Sequence, residues 1–375
     1  MGHSCTPLHA RSHKSGERRA ADGRLRHLML TPITPSAAAW DAFVRAHPQA
    51  HVLQLAAWAE HKTRFGWAYE RVALIDANGI IRAGAQVLIR PLPGRLFTLA
   101  YIPHGGYVTD DSQWPALIDA VARAVRKHRA VFLKWEPGLY DHAAPPDPAA
   151  LGFRPSAQTV QPPRTVVLDL TADDDAILAR MNQGTRRKIR QSHKAGVRTF
   201  EAAARDVPRF CDLMTATGTR NDFGVHSAAY YQLAFDLFAP RDAALILAEH
   251  DGDLLAGVMV FAVDGASGGP AWYLYGASSD AKRDLMASYA VQWAAIQWAK
   301  ARGCATYDLW GVPDADEEAL EAQFQTRGDG LWGVYGFKRG WGGRVVRTLG
   351  AWDKPLIPPL YWAFQQALRL RQRSG

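Results

Sequence analysis

Two tight turns constrain this chain more than anything else in it. "LIDANGIIRAGAQVLIR" and "LAEHDGDLLAGVMVF" each place two apolar runs around a two-residue turn, Asn78-Gly79 and Asp251-Gly252. Such turns need left-handed backbone at both central positions, so they read as hairpins. The order of elements around each hairpin is the same. In the first half, the helix "HVLQLAAWAEHKTRFG" precedes the hairpin, followed by the strand "RLFTLAYIP", the helix "WPALIDAVARAVRKH" and the strand "AVFLKWEP". In the second, "VPRFCDLMTATGTRNDF" and "SAAYYQLAFDLF" precede it, and "AWYLYGASS", "LMASYAVQWAAIQWAKARG" and "CATYDLWG" follow. A repeated order predicts a duplicated α/β (α+β) unit. The proline-dense "HAAPPDPAALGFRPSAQTVQPP" marks the boundary. The expected division is a basic disordered arm over 1–26, a first unit over 27–165 and a second over 166–375 that includes a C-terminal helix.

Charge points to anionic partners: the net charge is +8 and the isoelectric point about 9.4. One basic cluster lies in the arm, and one closes the chain at Arg369, Arg371 and Arg373. A third runs from Arg180 to Arg198 with no acid inside it. There "DDDAILARMNQGTRRKIRQSHKAG" predicts one long helix carrying Arg186, Arg187, Lys188, Arg190 and Lys194. Arg186, Arg190 and Lys194 fall four apart on one face, and Met181 and Ile189 mark an apolar one. Such a face suits an RNA phosphate track, and it also suits a plain solvated surface. The three cysteines have neither disulfide-framework nor zinc spacing, and the scattered histidines give no metal site. No apolar run reaches the length of a membrane span, and the arm lacks a secretory apolar stretch, so a cytoplasmic protein is expected.

One stretch mixes residue types that neither a surface loop nor a core strand needs. "GVYGFKRGWGGR", residues 333–344, surrounds Lys338 and Arg339 with Tyr335, Phe337 and Trp341 and loosens the backbone with glycines. A lysine held in a partly dry aromatic pocket can stabilise a developing oxyanion and protonate a leaving oxygen, which makes Lys338 the candidate catalytic residue. Strand alternation in "WYLYGASS" would send Tyr273 and Tyr275 to one face and Leu274 to the other.

Taken in order, "LQLAAWAEHK", "MNQGTRRKIRQSHKAGV", "WYLYGASS" with the following helix, "YDLWG" and "GFKRGWGG" resemble the FemABX family of peptidoglycan aminoacyltransferases. The resemblance runs from about residue 28 to the C-terminus. It implies two tandem GNAT-like (acetyltransferase-like) domains facing a shared groove, in a compact member without the helical-hairpin insertion. It also implies transfer of an amino acid from aminoacyl-tRNA, with no other cofactor, to the stem-peptide amine of UDP-MurNAc-pentapeptide or lipid II.

Carried over residue by residue, the resemblance makes Lys338 the functional lysine and gives Phe337 a grip on the acceptor end of the tRNA. Lys62, Arg220 and Tyr275, with Tyr273 as neighbour, match positions that hold substrate phosphates. The expected state is a monomer, with peripheral contact of the arm and C-terminal helix at the inner membrane face. The family's acid after its first-domain turn is displaced here to Asp110 and Asp111, and Asp308 is expected in a structural role. Two rivals stand beside this reading. "QTRGDG" (325–330) matches the pyrophosphate loop of acyl-coenzyme A acetyltransferases, although a strand should precede it. A non-catalytic RNA- or membrane-binding protein would use the basic clusters alone.

Overall fold

The computed structural model describes residues 30–138, 146–220, 224–264 and 268–373, so the arm expected over 1–26 lies outside the described residues. The first unit contains β1 (Thr31–Ile33), α1 (Ala37–Ala46), α2 (Ala56–Thr63), β2 (Ala68–Ile75), β3 (Ile81–Pro91), β4 (Thr98–Pro103), β5 (Tyr107–Val108), α3 (Trp114–Val125), β6 (Ala130–Glu136) and β7 (Arg154–Pro155). The second begins with β8 (Arg164–Asp169), α4 (Asp174–Arg180), α5 (Gln183–Lys194), β9 (Arg198–Glu201), α6 (Val207–Arg220), α7 (Ala228–Phe238), β10 (Ala243–His250) and β11 (Asp253–Ala262). It continues through β12 (Pro270–Ser278), α8 (Ala287–Ala301), β13 (Thr306–Gly311), α9 (Glu317–Gln323), α10 (Trp332–Lys338) and β14 (Arg344–Arg347). The chain closes with β15 (Trp352–Pro355) and α11 (Pro358–Arg373).

Two sheets follow the predicted duplication. One has the order β1-β2-β3-β4-β6-β15-β7 with β5 on β3, and the other β14-β8-β13-β12-β11-β10-β9. The second hairpin turns as expected, with Asp251 and Gly252 at φ 52° and 86°. The first turns at the expected segment, but only Gly79 is left-handed, at 77°, and the loop spans Asp76 to Ile80. It is closed by Gly79 N–H on Asp76 O and Asp76 N–H on Ile80 O, both at 3.0 Å, so the expected two-residue turn is corrected. In each unit an antiparallel meander is followed by a helix and then a strand parallel to the meander's last strand. A single apolar cluster joins the units: Trp40, Leu55 and Trp58 of the first pack with Phe210, Tyr231, Phe261 and Trp272 of the second.

The units differ at their parallel pair. After a one-residue shift between Thr98 and Leu99, β4 and β6 stay in register from Leu99↔Phe132 to Pro103↔Glu136. β12 and β13 pair only from Pro270↔Thr306 to Trp272↔Asp308 and then part. A bulge follows at once on β12: Met259 faces Tyr275 while its neighbour Val260 faces Tyr273, leaving Leu274 as the extra residue. An extra residue inverts alternation beyond it. Tyr273 therefore packs with the cluster under α8, whereas Leu274 and Tyr275 join the interdomain cluster. The expectation that both tyrosines share a face is corrected by this bulge.

Two further expectations change. The long basic helix is two helices, because Met181 is extended and Asn182 caps a new start, its side chain accepting from Thr185 N at 2.7 Å. The C-terminal segment assigned to the second unit returns to the first sheet, with β15 pairing β6 from Trp352↔Trp135 to Pro355↔Phe132. A buried ion pair fixes that return: Lys134 Nζ donates to Asp353 Oδ1 at 2.8 Å and to Gln158 O at 2.8 Å. The proline-dense linker is pinned by Glu136, which accepts from the backbone N–H groups of Val160 and Gln161.

Candidate active site

Lys338 sits where β12 and β13 separate. Helix α10 delivers it from the loop side, its Nζ donating to Gly311 O at 2.7 Å and lying 5.8 Å from the centre of the Tyr273 ring. The side chain is 6% exposed. Burial lowers its pKa to about 8, opposed by the field of Asp308. Asp308 is itself held by Thr165 Oγ1 and by Trp310 N at 2.7 Å. Trp310 adopts φ 62°, a left-handed conformation that a bulky residue rarely takes, at the irregularity between Asp308 and Gly311. The strand is thus bent around the lysine, and Asp308 combines the expected structural role with an electrostatic one. Arg339, its neighbour, turns away to pair with Glu321, Nε to Oε1 at 2.8 Å.

The glycines of "GFKRGWGG" dock this loop onto the basic helix. A Cβ on Gly340 would lie 2.4 Å from Thr185 Oγ1, and Gly342, at φ 76°, lies against the Arg180 carbonyl. Gly340 O accepts from Asn182 N at 3.0 Å. Phe337 is half-buried against Tyr289 and Trp341, with ring centres 5.1 and 5.6 Å apart. Lys188 closes the group, its Nζ 3.0 Å from Tyr289 Oη. The basic residues therefore divide. Arg186 is spent on the carbonyls of Ala179 and Met181, and Lys188 on Tyr289, while Arg187, Arg190 and Lys194 stand exposed without an ion pair among the described residues. The exposed stripe is 187, 190 and 194, displaced by one residue at its first position from the predicted one.

A second cation site lies across the domain interface. Lys62 Nζ donates to Tyr230 Oη at 2.8 Å and faces the Trp58, Trp67 and Tyr230 rings at 5.1, 5.7 and 4.9 Å. Burial, then the charge of Arg90, lowers its pKa to about 8. Tyr230 Oη also lies 3.5 Å from Tyr275 Oη, so Tyr275 stands behind Tyr230 rather than beside Lys62. Arg220 is held at the end of β12 by Ser278 O at 2.8 Å and by Asp280 at 3.2 Å. Lys62 and Tyr275 thus meet through Tyr230 on one side of β12, with Arg220 at the strand's end, and Lys338 lies with Tyr273 on the other side. Two participants escaped the sequence: Tyr230, indistinguishable from its neighbours in an amphipathic helix, and Arg90, whose Cζ lies 5.5 Å from the same Trp67 ring.

Histidines the sequence left scattered also meet. His51 and His104 stack with ring centres 4.5 Å apart, against Trp272 and Trp310. Burial lowers both pKa values, that of His104 to about 4, so this wall is neutral at pH 7. Asp110 caps a turn, accepting from Ser112 N at 2.9 Å, and Asp111 is exposed in that turn. "QTRGDG" lies between α9 and α10 with no strand before it, and its Arg327 pairs with Asp329. The motif match to a pyrophosphate loop is therefore coincidental.

Two GNAT-like units packed together, with a desolvated lysine at the splayed strands of the second, define a tandem GNAT-like transferase. A crystal structure titled FemX superposes with a TM-score of 0.78 at 24% identity, covering 89% of this chain and 99% of that one. A tandem GNAT protein from the clavulanic acid pathway gives 0.51 at 14%, covering 88% and 99%. In sequence, the chain is 27% identical to the lipid II:glycine glycyltransferase of Staphylococcus haemolyticus, covering 87% of this chain and 93% of that protein. It is 26% identical to the Staphylococcus aureus protein of the same name, covering 87% and 93%. The FemAB family model matches residues 36–147, 151–256 and 254–369. The chain belongs to the FemAB family.

Proposed function

We propose that this protein transfers an amino acid from aminoacyl-tRNA to the stem-peptide amine of a peptidoglycan precursor, building the bridge between peptide strands. The observation that carries the reading is Lys338, a desolvated ammonium at the strand split with Tyr273 beside it. The attacking amine forms the new C–N bond at the ester carbonyl, and the oxyanion that develops is stabilised by the Lys338 ammonium. Collapse breaks the C–O bond to the ribose, and the departing oxygen takes a proton that the amine supplies through Lys338. Because the ester is already activated, alignment and charge suffice without a covalent enzyme intermediate.

The donor enters over the exposed Arg187, Arg190 and Lys194, with Phe337 and Tyr289 meeting its acceptor end. The acceptor's diphosphate is held by Lys62 and Arg220 on the opposite side of β12. The curated relatives are named for glycine and lipid II, so glycyl-tRNA and lipid II are the first substrates to offer. The test incubates the purified protein with charged, radiolabelled tRNAs and both acceptors, lipid II and the nucleotide-linked pentapeptide. Label on one acceptor fixes donor, acceptor and reaction together, whereas label on neither, with tRNA bound, rejects the reading.

A further inference from the structure

Four of the seven large apolar side chains that stand exposed among the described residues gather around the C-terminal helix: Leu96 (66%), Val160 (49%), Trp362 (47%) and Leu370 (65%). Soluble surfaces seldom group such residues without a partner. Helix α11 is held to the first sheet by Tyr361 and Phe364 on Phe132, with Leu92, Phe97 and Leu99 in the same cluster. The turn carrying Leu96 is thereby brought beside the helix, and Trp362, Gln366, Arg369 and Leu370 face outward.

The charge of this face has one sign. No acidic residue occurs from 90 to 109 or after Asp353, and Asp353 is buried under Lys134. Arg90, Arg95, Arg154 and Arg369 are exposed there, and the Arg154 guanidinium lies 4.9 Å over the Trp362 ring. The face also continues into the acceptor side of the site. A cavity of about 420 Å³ opens beside α11, lined by Arg90, Leu92, Val160 and Phe364 among others. Arg90 and Lys62 share the Trp67 ring.

We infer that the 91–97 turn and the outer side of α11 form a docking face for an anionic lipid bilayer, which delivers a lipid-linked diphosphate past Arg90 to Lys62. The inference rests on the proposed acceptor. Exposed aromatic and aliphatic groups enter the headgroup boundary while the arginines meet anionic lipid, and neither contribution requires a membrane span. Among the described residues no helix is long and apolar enough to cross a membrane.

The experiment is co-sedimentation of the full chain with vesicles of phosphatidylcholine, with and without phosphatidylglycerol, for wild type, Leu96→Glu/Trp362→Glu and Arg95→Ser/Arg369→Ser. Wild type is expected to bind the anionic vesicles preferentially, and each double variant to partition about tenfold less. Circular dichroism confirms that the variants, all at exposed positions, remain folded. Equal binding to neutral and anionic vesicles, or wild-type partition by both variants, overturns the inference and assigns any binding to another segment. Loss of tRNA binding with vesicle binding intact overturns it in favour of an RNA contact. Transfer to the soluble nucleotide-linked acceptor is measured in parallel and tests the reaction separately. Activity without vesicle preference defeats the docking face alone, and vesicle binding without transfer to either acceptor defeats the proposed reaction alone.

Discussion

Replacing Lys338 by Met should separate the cost of holding a cation in the strand split from its use. The pKa of Lys338 falls from 10.5 to about 8, which corresponds to ~3 kcal/mol of unfavourable free energy for the charged form at neutral pH. Methionine fills a similar volume without charge. It also leaves Gly311 O without its lysine donor, at a cost of about 1–3 kcal/mol. At pH 7 the variant should therefore be as stable as wild type or more so, by up to ~2 kcal/mol. The pH dependence is the sharper readout. Between about pH 8 and 10.5 the unfolded lysine keeps a proton that the folded one has lost, so wild-type stability rises with pH in that window. The slope contributed by this group is at most ~1.4 kcal/mol per pH unit. Lys62 contributes in the same direction and is untouched by the change, as are the buried tyrosines that act oppositely near pH 10. Urea melts of both proteins from pH 7 to 10 should thus show the variant's stability relative to wild type falling above pH 8, by up to about 3 kcal/mol at pH 10, while transfer by the variant falls at least about a hundredfold. A constant difference across the range, or transfer within threefold of wild type, would refute the argument that a desolvated, charged lysine does the chemistry.

Other outcomes follow from the same geometry. Transfer catalysed through a protonated Lys338 should decline as pH rises through about 8, in a pH–rate profile taken at saturating substrates. Tyr230→Phe removes the hydroxyl between Lys62 and Tyr275 and should raise KM for the acceptor several-fold, leaving KM for the donor unchanged in steady-state kinetics. Arg187→Ala/Arg190→Ala/Lys194→Ala should lower the slope of log affinity for tRNA against log salt by about 2 in filter binding. Arg186→Ala should leave that slope alone and lower Tm, because its guanidinium serves carbonyls of the preceding turn. Asp353→Asn should destabilise by about 3–5 kcal/mol in a denaturant titration, since it strands the buried Lys134 ammonium.

The elements and their duplication were legible because tight-turn chemistry and apolar runs are local. Both hairpins formed at the segments the turn residues mark, with Gly79, Asp251 and Gly252 in left-handed backbone. The same locality explains the misses. A bulge is a property of a strand pair, so nothing within "WYLYGASS" announces that Leu274 is the extra residue and that the two tyrosines part. Asn182 was legible as a cap only against the expectation of an unbroken basic helix. The return of β15 to the first sheet depends on a lysine and an aspartate 219 positions apart. Lys338 was visible because a cation among aromatics and glycines is locally anomalous, whereas Tyr230 and Arg90 look ordinary until the fold aligns them with Lys62.

The two copies of one unit divide the work through a single geometric difference. A parallel pair that stays paired satisfies its own backbone groups and offers no opening, and β4 with β6 does so from Leu99↔Phe132 to Pro103↔Glu136. The free edge of β6 pairs instead with the C-terminal strand β15, and Glu136 at its end holds the linker. In the second unit the same pair parts after Trp272 and Asp308, exposing backbone that must find other partners. Gly311 O finds Lys338, and Asp308 takes up the Trp310 N–H. The catalytic candidate is thus also the group that satisfies the opened strand. If this dual use holds, restoring a partner for Gly311 O without a charge should recover stability and not activity. Lys338→Gln supplies an uncharged donor of similar reach, and it should melt within a few degrees of wild type while remaining as inactive as Lys338→Met. Activity in the glutamine variant above that of the methionine one would show that hydrogen bonding, and not the ammonium charge, stabilises the transition state.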